Sequence, residues 1–223
     1  MAIELKLFER VHSGRRLFAV ESISLIYNAL TSILILILFS RMDHPELMLM
    51  ERLGIVVLTF GLIYLYQLFP CRLTAFIRMA VQMSLLAYWY PDTFEFNRLF
   101  PNLDHVFARL EQWLFHCQPS VEFCKLCPSA WFSEPFNMGY FFYYPMILVV
   151  VVYYFLNRFE WFEKICFVLV TSFFIYYLFY ILVPVAGPQF YFPAIGMDKV
   201  NACDFPAIGT YFNTNDYLIP GLN

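Results

Sequence analysis

An all-α, multispan transmembrane bundle of about five spans, with one further helix on its outer surface, is the fold class this chain predicts. Three observations carry it. Of its 223 residues 61% are hydrophobic and only 14% charged, with a mean hydropathy of +0.62, which is more apolar surface than a soluble domain of this size hides from water. Apolar stretches long enough to cross a bilayer recur from Phe18 to Val183. The 27 Phe and 16 Tyr suit helices packed on one another, with rings anchored at headgroup level. Lipid offers backbone groups no partners, so open sheet edges are excluded and the crossings are helices. A net charge of −3 without a basic stripe excludes a broad nucleic-acid-binding face.

A helix needs roughly 20 apolar residues to cross the hydrocarbon. The spans are predicted at Phe18–Phe39, Leu53–Phe69, Leu73–Tyr90, Met138–Leu156 and Ile165–Val183, in a single integral-membrane domain. Lys6, Arg10, Arg15 and Arg16 precede the first run, but it is long and has no small-x-small cleavage site, so it reads as a retained span rather than a signal peptide. Pro70-Cys71-Arg72 makes a tight hairpin between the second and third spans, since Pro70 stops a helix and Arg72 prefers the headgroups. The loop from Pro91 to Phe136 is long enough to carry structure of its own. Within it Leu103, Val106, Phe107, Leu110, Trp113 and Leu114 recur at helix spacing, with Asp104, Glu111 and Gln112 off that stripe. Two placements follow: a helix lying on the outer membrane surface, or one packed onto the ends of the spans.

Orientation comes from Lys and Arg near span ends. The leader, Arg72 with Arg78, and Arg158 with Lys164 are assigned to the cytoplasmic side, against Arg41 and Arg52 in a short outer loop. The chain is therefore expected in the cell membrane with its N-terminus inside and, after five crossings, the tail from Pro184 outside. Glu21 and Arg78 lie near the cytoplasmic ends of their spans, and separate snorkelling to the headgroups is favoured there over pairing. Tyr143-Tyr144 and Tyr153-Tyr154 read as an interfacial belt. Cys117 with Cys124-x-x-Cys127 reads as disulfide or free thiols on an outer surface, ahead of a zinc site completed by His116. His12, His44, His105 and His116 read as surface histidines.

The last span ends in Tyr180-Ile181-Leu182-Val183-Pro184-Val185-Ala186-Gly187-Pro188-Gln189-Phe190, an apolar helix broken at the membrane surface by prolines flanking a glycine. Such a break is ordinary at a helix end, but it also frees backbone N–H groups, and Gly187 lets a ligand approach the main chain. The stretch resembles the first motif of the type 2 phosphatidic acid phosphatase superfamily, in the branch of the inositol phosphorylceramide synthases, with Tyr180, Pro184, Gly187 and Pro188 matching its Tyr, Pro and Gly-Pro positions. Gln118-Pro119-Ser120 and Ser133 to Tyr140 are similar to the outer-loop pattern of that branch.

The resemblance implies a lipid phosphate phosphatase or phosphotransferase acting at the outer leaflet on a phosphorylated lipid. A histidine would attack phosphorus, a second would protonate the leaving alkoxide, and no metal or other cofactor would be needed. Tyr180, Pro184, Gly187, Pro188 and Gln189 become the expected substrate-binding residues. Gln189 stands where many members place an arginine, so it offers amide hydrogen bonds but no charge. The second and third histidine motifs are not found within the 223 residues, so no catalytic residue is assigned. The chain is expected to be the N-terminal part of such an enzyme, with a completing polypeptide as partner. The alternative is a non-catalytic membrane protein, either a degenerate relative that binds lipid or a subunit completed by another polypeptide. A transporter ranks lower, because the spans show no matching pair of interrupted helices.

Overall fold

The computed structural model describes residues 7–11, 17–126 and 129–209. They form α1 (Ala19–Leu38), α2 (Pro45–Leu68), α3 (Arg72–Ser84), α4 (Leu86–Asn97), α5 (Asp104–Phe115), α6 (Pro119–Leu126), α7 (Ala130–Asn157), α8 (Phe159–Leu182), α9 (Pro188–Ile195) and α10 (Met197–Asn201). The fold is an all-α membrane bundle. Among the described residues four helical segments are long and apolar enough to cross a membrane: Ala19–Arg41, Pro45–Leu68, Trp131–Asn157 and Phe159–Leu182. The chain divides into two compact units, Met1–Pro91 with Pro145–Tyr177, and Asp92–Tyr144 with Leu178–Asn223.

The stretch expected as the third span, Leu73–Tyr90, is not among those four. It forms α3 and α4, separated by a turn at Leu85 and carrying buried Thr74, Arg78 and Gln82. The physical reason is shielding: α3 packs on both α1 and α2, so its polar residues face neighbouring helices instead of lipid. Gln82 donates from Nε2 to Thr59 Oγ1 at 3.0 Å, and Thr59 passes its own hydrogen to the Ile55 carbonyl at 2.8 Å.

The buried face of α1 runs Val20, Glu21, Ser24, Tyr27, Asn28, Thr31 and Ile35, at helix spacing but only partly apolar. Ser24 and Thr31 return their hydroxyls to the carbonyls of Val20 and Tyr27, which satisfies them without leaving the helix. Aromatic packing fills the space around them. Tyr27 stacks on Phe174 with centroids 4.2 Å apart and meets Trp89 edge-on at 5.1 Å.

Three charged residues depart from expectation. Glu21 and Arg78 do not snorkel separately: they are 0% and 1% exposed and form a two-point ion pair, with Arg78 Nε donating to Glu21 Oε1 at 2.7 Å and Nη2 to Oε2. The guanidinium lies 3.9 Å from the Phe18 ring centroid and 4.9 Å from that of Tyr66, while Glu21 also accepts the Phe18 N–H at 2.9 Å. So enclosed, neither charge reaches the headgroups, and each needs the other. Arg52, expected in an outer loop, is instead buried inside α2, which begins at Pro45 rather than Leu53. Its Nη1 donates to the Met48 carbonyl at 3.1 Å, its Nε to Thr31 Oγ1 at 3.4 Å, and its guanidinium lies 5.4 Å from the Trp89 ring centroid. Polar groups already present on α1 make that burial tolerable.

The hairpin at Pro70-Cys71-Arg72 forms as expected, and the leader pairs with it. Val11 N donates to Pro70 O, Arg72 N to Glu9 O and Leu73 N to Leu7 O, with an Arg72–Glu9 ion pair at 2.6 Å. In the second unit α5 packs against α9 over a core of Ala108, Tyr191, Phe192, Ile195, Val200 and Phe205.

Breaking the Glu21–Arg78 pair from one side leaves an uncompensated charge among helices. Glu21→Ala or Arg78→Ala alone is expected to destabilise by about 3–5 kcal/mol, and the double replacement by leucine to recover most of that loss. Thermal unfolding of the single and double variants in detergent checks this; single variants that melt like the wild type would show that the charges do not depend on each other.

Candidate functional site

At the end of α8 the Val183 N–H still reaches back to the Phe179 carbonyl at 2.8 Å, and then Pro184 ends the ladder. The next helix opens three residues after Pro184's neighbour Val185, with Gly187 at its N-cap and Pro188 in its first turn. Gly187 has φ +88° and ψ 162°, a conformation essentially reserved for glycine. Its carbonyl receives the N–H groups of Phe190 and Tyr191 at 3.0 and 2.9 Å, which starts α9. The Pro-x-x-Gly-Pro run therefore builds a defined corner, not a loose tail.

That corner is held by the segment that begins α5. Leu103 N donates to the Pro184 carbonyl at 2.9 Å. The Asp104 carboxylate accepts the N–H of Ala186 on Oδ2 at 2.7 Å and the N–H of Gly187 on Oδ1 at 2.8 Å, so one side chain spans two successive peptides. Asn102 completes the clamp: its Nδ2 donates to Asp104 Oδ2, its Oδ1 accepts the Asp104 N–H at 2.9 Å, and its own N–H goes to Gly209 O at 2.7 Å. Asp104 is 5% exposed and Asn102 1%. A carboxylate in the first turn of α5 is also favoured by the helix dipole.

The N–H groups of Ala186 and Gly187, expected from the sequence to be free for a ligand, are thus donated to Asp104. Pro184, Gly187 and Pro188 are brought together in one corner. Gln189, in the first turn of α9, is exposed, and Tyr180 stays on the last turns of α8, 44% exposed. Behind the corner, Tyr191 is buried and its hydroxyl donates to the Pro206 carbonyl at 2.8 Å, while Arg109 Nη2 donates to the Phe205 carbonyl at 2.9 Å. Burial first, and the negative charge of Asp104 next, push the Tyr191 phenol up to about 12, with Arg109 opposing.

The outer-loop residues singled out in the sequence divide. Gln118 is buried and donates from Nε2 to the Ala108 carbonyl at 2.9 Å and to Gln112 Oε1 at 3.1 Å, fastening the start of α6 to α5. Ser133 to Tyr140 are helical in α7 and exposed along their length. His105 lies in the first turn of α5, His116 closes that helix at φ +55°, and His44 precedes α2; His12 lies outside the described residues. Among the described residues Cys117 has no disulfide partner, and the Cys124-x-x-Cys127 spacing ends at a residue outside those described. Among the described residues no group of three His, Cys, Asp or Glu side chains is placed to hold a metal ion.

Asp104 and Asn102 were missed as site residues. Their position just before an apolar periodic stretch signals a helix start, and a short carboxylate there is ordinary capping chemistry. Nothing local announces a partner more than eighty positions later. Comparison with protein-family models, curated proteins and solved structures gives no match to this chain.

Asp104→Ala strips the acceptor from two peptide N–H groups and from Asn102. It is expected to cost about 1–3 kcal/mol, with Asp104→Asn losing less because its amide oxygen still accepts. Denaturation of both variants in detergent measures the difference, and equal stability of wild type and Asp104→Ala would dissolve the clamp. Tyr191 gives a pH signature. Above its ordinary value near 10 the unfolded chain loses the phenolic proton while the folded chain keeps it to about 12, so the folded state binds more protons and stability falls as pH rises through that window. Thermal melts from pH 9 to 12 are expected to fall less steeply in Tyr191→Phe than in the wild type.

Proposed function

We propose that this chain forms part of a membrane-embedded phosphatase or phosphotransferase acting on a lipid phosphate, of the type 2 phosphatidic acid phosphatase kind, with the corner from Pro184 to Gln189 as one wall of its site. The observation that carries the reading is the corner itself: a glycine at φ +88° opening a helix directly where the chain leaves a span, in the sequence setting the resemblance picks out. An anion approaching there meets a helix N-terminus and the exposed Gln189 amide. Because Asp104 already takes the N–H groups of Ala186 and Gly187, Gln189 is the primary phosphoryl contact in this reading, with Tyr180 flanking it. The histidine nucleophile comes from a completing polypeptide segment, and no metal takes part.

In the same reading α3 and α4 together make the remaining crossing. Arg72–Asn97 is nearly continuous helix, and its internal charge is neutralised by Glu21. The tail from Pro184 then faces outward from the cell membrane, with the basic leader inside, and the lipid is taken from the outer leaflet.

A second reading is favoured by the clamp. A protein carboxylate seated on two of the corner's donors leaves fewer for a phosphoryl group, which suits a subunit that binds membrane lipid without turning it over. One assay separates them: release of inorganic phosphate from phosphatidic acid by vesicles holding this chain, alone and co-expressed with the coding region directly downstream. Catalysis in either preparation supports the first reading, and Gln189→Ala is then expected to lower turnover by about 10- to 100-fold, the worth of a hydrogen bond to a charged group. No release in both preparations, with phosphatidic acid still retained by the protein, supports the second.

A further inference from the structure

We infer that α5 is seated in the lipid interface and, through Asp104, fixes the Pro184–Gly187 corner at the depth of the lipid headgroups. The helix has three distinct faces. Asp104 and Ala108 are buried on the side that packs against α9. His105, Arg109 and Gln112 share a polar side. The third side is Val106, Phe107, Leu110, Trp113 and Leu114, all large, all apolar and all exposed, with Trp113 at 72% and Leu110 at 52%. A soluble protein rarely leaves such a stripe open to water. Among the described residues no helix covers it, because its partner is lipid.

Chain continuity commits the stripe to that occupant. Exposed Phe115, Phe123 and Leu126 continue the apolar surface through α6, and the next helix is the membrane span α7, whose Trp131 is 93% exposed and whose apolar length is almost wholly outward-facing. The other side of the clamp, Pro184 to Gly187, leaves the membrane span α8. A helix between two such anchors, with a Trp on its apolar side and a polar side opposite, has the features of an interfacial amphipathic helix. Between the two placements that the sequence left open, the exposed stripe selects the membrane surface. The consequence for substrate rests on the phosphatase reading: a corner pinned at headgroup level meets the phosphate of a lipid still in its leaflet, not one drawn into the bilayer or free in solution.

The test places nitroxide labels one at a time at Leu110→Cys, Leu114→Cys and Gln112→Cys, in full chain with native cysteines replaced, in phosphatidylcholine vesicles. Collision with oxygen should dominate at 110 and 114, and collision with a water-soluble nickel chelate at 112. Equal nickel access at 110 and 112 would overturn the seating, and so would shielding of 110 from both reagents, which would mean that protein covers the stripe. If the cysteine-replaced chain does not fold, native Trp113 serves: brominated-chain lipids should quench an emission component that Trp113→Phe removes, and an unquenched Trp113 would also overturn it. For the coupling, a label at Gln189→Cys should gain mobility in Asp104→Ala while the label at 110 keeps its depth. An unchanged line shape at 189 would show that α5 does not pin the corner. Phosphate release enters none of these readouts, so failure of the seating and failure of the phosphatase reading are distinguishable.

Discussion

A charge inside a bilayer must bring its counter-charge with it, and Arg78 meets that requirement by joining three helices at one point. Its guanidinium lies between the Glu21 carboxylate of α1, the Tyr66 ring of α2 and the Phe18 ring that leads into α1. In low dielectric the pair is strong only because both members are enclosed and hydrogen-bonded, and removing either would leave the other stranded. The rest of the polar seam follows the same rule: Gln82 on Thr59, Arg52 on Thr31 and Met48, and hydroxyls turned back on their own helices. Hydrophobic helices alone have little reason to choose one arrangement in lipid, whereas this chain of polar contacts specifies one.

The second unit applies a similar economy to backbone instead of charge. Where α8 ends, Pro184 and the glycine corner leave peptide groups without helical partners, and the chain answers with Leu103, Asp104 and Asn102 from a distant loop. One carboxylate therefore settles two peptides and ties the exit of a span to the start of α5. That tie gives the amphipathic helix its importance: whatever sets the depth of α5 also sets the depth of the corner that opens α9.

Much of this was legible in the residues. The apolar runs mark four of the five expected spans and place their C-terminal ends within two residues. Three of the four helices start six to eight residues earlier than the run, because polar residues extend them beyond the apolar stretch that lipid reads directly. The stripe on α5 was visible because helix spacing is a local property, and so was the corner, since Pro and Gly announce a break wherever they occur. The α2 helix starts eight residues before the apolar run because Arg52, whose ordinary place is the surface, is buried here. Glu21 and Arg78 were separated for a similar reason, since nothing near either residue names the other. At Gly187 the sequence marked the flexible position but not the carboxylate that would occupy its N–H.

By itself, then, the amino-acid order determined that this is a helical membrane protein, where its apolar helices run, and where the chain turns out of its last span. Only the tertiary structure decided which polar groups meet: Arg78 with Glu21, Arg52 with α1, Asp104 with Ala186 and Gly187. The division has a physical cause. Periodicity and propensity act over a few residues and fix which face of a helix is apolar, while the partner of a buried polar group is chosen by packing across tens of residues, at distances that no local pattern encodes.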